Sequence, residues 1–237
     1  MVRLIMHCLL SLKRHVLGQL AAKECAFILS HLEDDAVCID IGAHCGAWTL
    51  PLSAKVIRGH VFSIEALPYY ARLLRMLLRL LGRRNVTVLN CAATETVCEL
   101  QLVWRDENGR RLTGLTHLAG RVETTANTIT VRGRPLHDIV ARELWPKIGF
   151  IKCDVEGAEL QVFKGARRLL EAARPWVYSE IDDTFCRRYG HTAADVFQFF
   201  TELGYQAFLL DAGNCPRPVV PASYSGKGDV LFIVPST

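Results

Sequence analysis

The chain has 237 residues, a formal net charge of +4, half of its residues hydrophobic and 22% charged. That length can bury one substantial core. The composition excludes a disordered segment, and the mild basicity falls short of the dense patches of a dedicated nucleic-acid binder.

Residues 1–35 read as an N-terminal helical cap. Leu9, Leu10, Leu17, Leu20, Phe27 and Ile28 supply an apolar stripe, with Lys13, Arg14 and Lys23 on the polar side. Covering the sheet is the first reading of this segment, and peripheral contact with a membrane surface is the second. No stretch approaches the roughly 18 uninterrupted apolar residues of a transmembrane helix. The first residues lack a long apolar core and a small-residue cleavage site, so no signal peptide is expected. Nine cysteines, none in a CxxC pair, argue against a zinc site or a disulfide framework. Several sit in apolar runs (Cys38, Cys91, Cys153), where a free thiol acts as a small hydrophobe. A reducing, cytoplasmic setting is therefore expected.

Residues 36–237 read as one α/β domain. Strands are predicted over 37–41, 61–65, 86–90, 98–104, 149–154, 175–181, 205–210 and 229–234. Helices are predicted over 47–57, 69–81, 137–145, 158–172 and 192–203. Such alternation implies a parallel sheet covered on both faces. The last two strands follow each other without a helix, across a Gly- and Pro-bearing loop, so the final strand should run antiparallel. The expected architecture is a doubly wound, Rossmann-like, mostly parallel seven-stranded sheet. Residues 105–135 interrupt the pattern with Asn108-Gly109, a tight-turn signal, and Thr-rich runs. They are expected to form an inserted β-hairpin or lid.

The chemistry-bearing segments lie at strand ends. Val37-Cys-Ile-Asp40-Ile-Gly42-Ala-His44-Cys-Gly46 is an apolar run, an acid and a glycine-bearing turn. Val61-Phe-Ser-Ile-Glu65 answers it with a second strand ending in an acid. Strand, Gly turn, helix, strand, acid is the layout of a nucleotide-binding βαβ unit. Gly42 and Gly46 let backbone approach a ligand, and Glu65 can accept two ribose hydroxyls. The turn lacks the middle glycine of a dinucleotide site, and no Lys-Ser or Lys-Thr follows as in a phosphate loop. A ribose acid without a pyrophosphate cradle points to a nucleoside lacking a diphosphate, of which S-adenosylmethionine is the common one. An α/β sheet with an ordinary Gly turn is the alternative.

A second motif, Phe150-Ile-Lys-Cys-Asp154-Val-Glu156-Gly-Ala-Glu159, ends a buried strand in an acid and adds two glutamates. Asp40, Glu65 and Asp154 should converge at the carboxyl edge of the sheet, where doubly wound folds bind ligands. Taken singly, Asp154 could be a helix N-cap and Glu159 an exposed first-turn acid.

With these motifs the chain resembles the FkbM family of S-adenosylmethionine-dependent methyltransferases over roughly residues 36–235. The matching pieces include Asp40-Ile-Gly-Ala43 with Gly46, Glu65 with Pro68, Asn85-Val86, and Leu136-His-Asp138. Ile151 through Glu159, Lys164-Gly-Ala166, Arg174-Pro175, Glu180 and Leu203-Gly-Tyr205 complete them. The resemblance implies a class I methyltransferase fold and methyl transfer to oxygen, often on a sugar or natural product. It implies that Asp40, Gly42 and Gly46 shape the methionine-side pocket and that Glu65 binds the ribose. It also implies that Asp154 lies near the methionine amino group and the transferred methyl. His44, Ala66 and Ala92 complete the candidate cofactor-binding set. The family commonly has Asn where this chain has His44, and Phe-Glu-Pro where it has Ile64-Glu65-Ala66.

Candidate catalytic residues are Asp154, Glu156 and Glu180. Glu156 is the first choice and Glu180 the second for the base that takes the acceptor's proton; Glu159 and His44 are weaker choices, His44 fitting a pocket wall better. Carboxylates Asp154, Glu156 and Asp182 could hold a hard cation, but no spacing demands it and no metal is expected. Arg72, Arg75, Arg79 and Arg83 fall on one helical face, read as a solvated face first and a contact for an anionic partner second. The expected acceptor is a small-molecule or glycan hydroxyl. An RNA or protein methyltransferase, or a scaffold that kept the fold and lost catalysis, are the competing readings.

Overall fold

The computed structural model describes residues 23–104, 117–118, 127–211, 213–221, 224 and 226–235. In chain order it has α1 (Lys23–Ser30), β1 (Val37–Ile41), α2 (Thr49–Lys55), β2 (His60–Ile64), α3 (Pro68–Leu80), β3 (Val86–Leu89), β4 (Ala92–Ala93), β5 (Cys98–Val103) and β6 (His117–Leu118). There follow β7 (Thr128–Arg134), α4 (Leu136–Ile139), β8 (Ile148–Cys153), α5 (Glu159–Ala173), β9 (Trp176–Asp182), α6 (Asp183–Cys186), α7 (Ala193–Glu202), β10 (Gln206–Leu210), β11 (Pro216–Pro218) and β12 (Lys227–Ile233).

The main sheet has the order β11-β10-β12-β9-β8-β1-β2-β3. Strands β3, β2, β1, β8 and β9 are parallel neighbours, and β12 runs antiparallel between β9 and β10. This is the mostly parallel, doubly wound α/β fold read from the alternation. β1 is buried at all five positions, because helices cover both faces of a central parallel strand. Local signals set the helices. Pro68 opens α3, where its fixed φ and missing N–H cost nothing. Thr192 and Asp195 form a reciprocal capping box at the start of α7. The core centres on α5, α7 and the strands beneath them; Phe200 of α7 stacks on Phe232 of β12 at 3.9 Å between ring centroids.

Three details differ from the sequence reading. All seven expected strands of the main sheet are present, and a short eighth, Pro216–Pro218, joins its edge. Prolines are tolerated there because an edge strand has one side free of ladder bonds. Residues 98–103 do not join the main sheet; they pair antiparallel with 128–134 in a second sheet ordered β4-β7-β5-β6. That sheet therefore begins before residue 105, although 105–116 and 119–126 of the expected insertion lie outside the described residues. The helix expected over 137–145 is instead α4 followed by a 3₁₀ turn, Arg142–Lys147, which contains Pro146; proline cannot continue an α-helical ladder. Of the expected cap, residues 1–22 lie outside the described residues, while α1 packs Cys25 and Ile28 inward. The eight cysteines among the described residues are all free. No helix among them is long and apolar enough to cross a membrane.

Candidate active site

The chain leaves β1 first towards β2 and β3 and later returns on its other side through β8 and β9. The carboxyl ends of β1 and β8 thus flank a topological switch point, where such sheets hold ligands. A cavity of about 620 Å³ lies there.

The turn after β1 forms one wall. The N–H groups of Gly42 and Ala43 both donate to the Ile64 carbonyl, at 3.0 and 3.1 Å. Asp154 N–H donates to the Ile41 carbonyl at 3.0 Å, which fastens the β8 turn to β1. Gly42 has φ +79°, and a Cβ there would stand 1.9 Å from the Asp154 carbonyl oxygen. Only glycine lets the two turns meet. Gly46 has a different task. It does not line the cavity; its N–H closes the turn on the Ala43 carbonyl at 2.7 Å, and it packs against Leu74.

Asp40 lies beneath this turn, fully buried. Its Oδ2 accepts from the Thr49 hydroxyl at 2.5 Å, and Thr49 Oγ1 lies 2.8 Å from Ser63 Oγ. Burial pushes the Asp40 carboxyl up to about 6, against the opposing effect of the Thr49 hydrogen bond and Lys152. Asp40 thereby ties the start of α2 to the sheet while still lining the cavity floor.

Glu65, directly after β2, carries a buried carboxylate. Oε2 accepts from His44 N–H and Oε1 from Leu67 N–H, both at 2.8 Å. Burial drives it up to about 7 despite those two donors, with Asp40 adding to the rise. An ionised carboxylate has about four acceptor sites, so one remains on each oxygen for a pair of neighbouring hydroxyls. The His44 ring, on a residue with φ +45°, lies 3.8 Å from the Tyr70 ring. Ala66 and Ala92 line the same end of the cavity.

Asp154 and Glu156, in the turn after β8, and Glu180 of β9 also line the cavity. Glu156 has φ +56°, a left-handed conformation that costs a non-glycine residue about 1–2 kcal/mol and that clusters at functional sites. Burial first, then Asp154, Glu180 and Glu159, push its carboxyl up to about 8. Burial and Asp154 also raise Glu180, with Asp229 adding. Glu159 is not the exposed acid expected at a helix start. It is fully buried, and its Oε1 accepts from the N–H groups of Val155 and Gly157 at 3.2 and 3.1 Å. It shapes the turn that aims Glu156.

Sequence reasoning missed Lys152, which is only 2% exposed and lines the cavity. Its Nζ lies 3.5 Å from both Asp154 Oδ2 and Asp229 Oδ1, and over the Tyr178 ring. Burial alone would lower its pKa, but Asp154 and Asp229 outweigh that and hold it above the ordinary lysine value. The signal was a lysine near the end of a buried apolar strand, where an unpaired charge would be too costly. The second-sheet side, with Thr94, Thr96, Leu100 and Leu102, was missed as well. Asp182 is diverted from Asp154 and Glu156: it caps α6 through Thr184 N–H at 2.9 Å and pairs with Lys227 at 3.2 Å. Among the described residues no three His, Cys, Asp or Glu side chains are grouped to hold a metal ion.

The donor set fits S-adenosylmethionine. The Gly42 cradle admits backbone contact, Glu65 offers two acceptors for ribose hydroxyls, and Asp154 offers a carboxylate to an ammonium group.

Comparison with known proteins gives the family and the fold. The family description of a methyltransferase FkbM domain matches residues 40–207. The fold is similar to that of the methyltransferase FkbM of Methylobacillus flagellatus KT, at TM-score 0.54 and 19% identity over 86% of this chain and 44% of that one. This chain thus spans less than half the length of the Methylobacillus protein. It is also similar to a Klebsiella pneumoniae protein provisionally assigned as an O-methyltransferase, at TM-score 0.52 and 16% identity over 95% of this chain and 90% of that one. At such identities the likeness is one of fold. No curated protein matches the chain at a significant level. The match runs from the acid of β1 to the start of β10, across both turns that build the cavity, and the chain belongs to the methyltransferase FkbM domain family.

Proposed function

We propose that the protein is an S-adenosylmethionine-dependent O-methyltransferase whose acceptor is a hydroxyl of a sugar, glycan or natural product. The observation that carries this reading is one cavity holding both a buried carboxylate suited to paired hydroxyls, Glu65, and a carboxylate raised to about 8, Glu156. S-adenosylmethionine, when bound, supplies an electrophilic methyl group on a sulfonium. The Gly42 turn and Asp154 would hold its amino-acid end, Glu65 its ribose, and Ala66 and Ala92 would lie beside the base. Lys152, 3.5 Å from Asp154 Oδ2, holds that carboxylate in place. Glu156 accepts the acceptor's proton; its raised pKa makes it a stronger base than an ordinary carboxylate. Leu100 and Leu102 form an apolar wall that limits water. Alignment of the acceptor oxygen supplies much of the rate, as in any reaction where positioning replaces a bimolecular encounter.

The test is an acceptor screen with methyl-labelled S-adenosylmethionine over sugars, polyols, phenols, lipids and RNA. The expected product carries the label as a base-stable methyl ether on a neutral hydroxyl. Label confined to nucleobases or to protein nitrogen would overturn the acceptor class while leaving cofactor binding intact.

A further inference from the structure

The stretch between Glu65 and Glu95 contains five arginines, at 72, 75, 79, 83 and 84, and no acidic residue. Arg75 is used internally, donating to the Val88 carbonyl at 2.9 Å. Arg72, Arg79 and Arg84 are exposed, and none of them has an ion-pair partner among the described residues. At the end of the same helix, Leu80 is 73% and Leu81 53% exposed, and Ile57, just past α2, is 66% exposed. Leu80, Leu81, Arg79, Arg84 and Ile57 share one region, whereas Arg72 lies about two turns back along α3, toward the carboxyl edge. Asn85 Nδ2 donates to the carbonyls of Ser53 and Val56 at 3.0 and 2.8 Å, joining the segment after α3 to the end of α2. The Asn85 carbonyl accepts from Val61 N–H near the start of β2, which places the region at the amino edge of the sheet.

We infer that this edge is a docking surface for an anionic lipid bilayer. Three bare aliphatic side chains flanked by unpaired arginines match a membrane interface. The aliphatic tips enter the boundary between headgroups and acyl chains, while guanidinium groups meet lipid phosphates and carboxylates. RNA is a poorer fit. The leucines and isoleucine do nothing for a phosphate backbone, and α3 exposes no aromatic ring to stack a base, since Tyr70 is buried and Tyr69 half-buried. The cavity opens at the opposite, carboxyl edge, so docking leaves it in water.

The test is sedimentation of the full chain with vesicles of phosphatidylcholine containing about one-third phosphatidylserine, against phosphatidylcholine alone. Binding is expected only to the anionic vesicles and should weaken as salt screens the charges. Leu80→Ser with Leu81→Ser, and separately Arg79→Glu with Arg84→Glu, should each reduce partitioning at least about tenfold. The melting temperature should not change, because these side chains point into solvent. Absence of vesicle binding, equal binding to neutral vesicles, or binding that both double variants retain would overturn the inference. So would binding of an RNA oligomer lost in the arginine variant while vesicles are ignored.

Discussion

Glu156→Gln should lower turnover by about 10²–10⁴, the range for removing a general base, with S-adenosylmethionine affinity close to that of the unaltered protein. Glutamine keeps the shape and the backbone conformation at φ +56°, so the change is confined to basicity. The pH profile provides a second readout. Glu156 is raised to about 8, by burial and then by Asp154, Glu180 and Glu159. A base works only when deprotonated, so turnover should fall as pH drops through that carboxyl's pKa. A bound sulfonium favours the carboxylate, which moves the acid limb of kcat below 8. In Glu156→Gln that limb should disappear. Asp154→Asn should impair both binding and rate, since its partner Lys152 would be left with Asp229 alone. Near-normal turnover in Glu156→Gln, on the true acceptor, would mean that Glu156 only shapes the turn, and Glu180 would be the next residue to replace.

Gly42→Ala should destabilise the fold by about 2–4 kcal/mol, as strain at a special backbone position plus a core clash does. It should also weaken S-adenosylmethionine binding at least about tenfold. The added Cβ would stand 1.9 Å from the Asp154 carbonyl oxygen, and Gly42 has φ +79°. Backbone cannot swing away as a side chain can, so the turns after β1 and β8 must part, and these turns carry Glu65's partner His44 and Asp154. Gly46→Ala should be milder, because its Cβ would meet the Leu74 side chain, which can shift at some cost. Thermal unfolding and cofactor titration of both variants check the order. A Gly42→Ala protein as stable and as tightly binding as the unaltered chain would contradict the close approach of the two turns.

What the sequence made legible follows from range. β1, β2 and β8 declare themselves as apolar runs ending in acids, because buried parallel strands need no alternation and their polar residues gather at the ligand edge. Asp40, Glu65, Asp154, Glu156 and Glu180 could therefore be named before any contact was known, and all line one cavity. Gly46 looked like a cofactor contact because turn glycines read alike; only the packing of Leu74 distinguishes it. The Thr94–Leu102 side of the cavity was illegible because it depends on residues 98–103 pairing with 128–134, a register that alternation alone does not specify. Lys152 was visible as a charge in an apolar strand, but its link to Asp229 crosses from β8 to β12, a neighbourhood set only by topology.

Calorimetric titration with S-adenosylmethionine, run on the unaltered protein and on Glu65→Ala, reaches the base of the whole reading. Glu65 is buried, accepts from two backbone N–H groups and keeps an acceptor site on each oxygen. One molecule of S-adenosylmethionine should bind per chain, and Glu65→Ala should weaken that binding by about 1.5–3 kcal/mol, the range for hydrogen bonds to a charged group. No heat of binding in the unaltered protein, or the same affinity in Glu65→Ala, would contradict the assignment of this cavity to that cofactor.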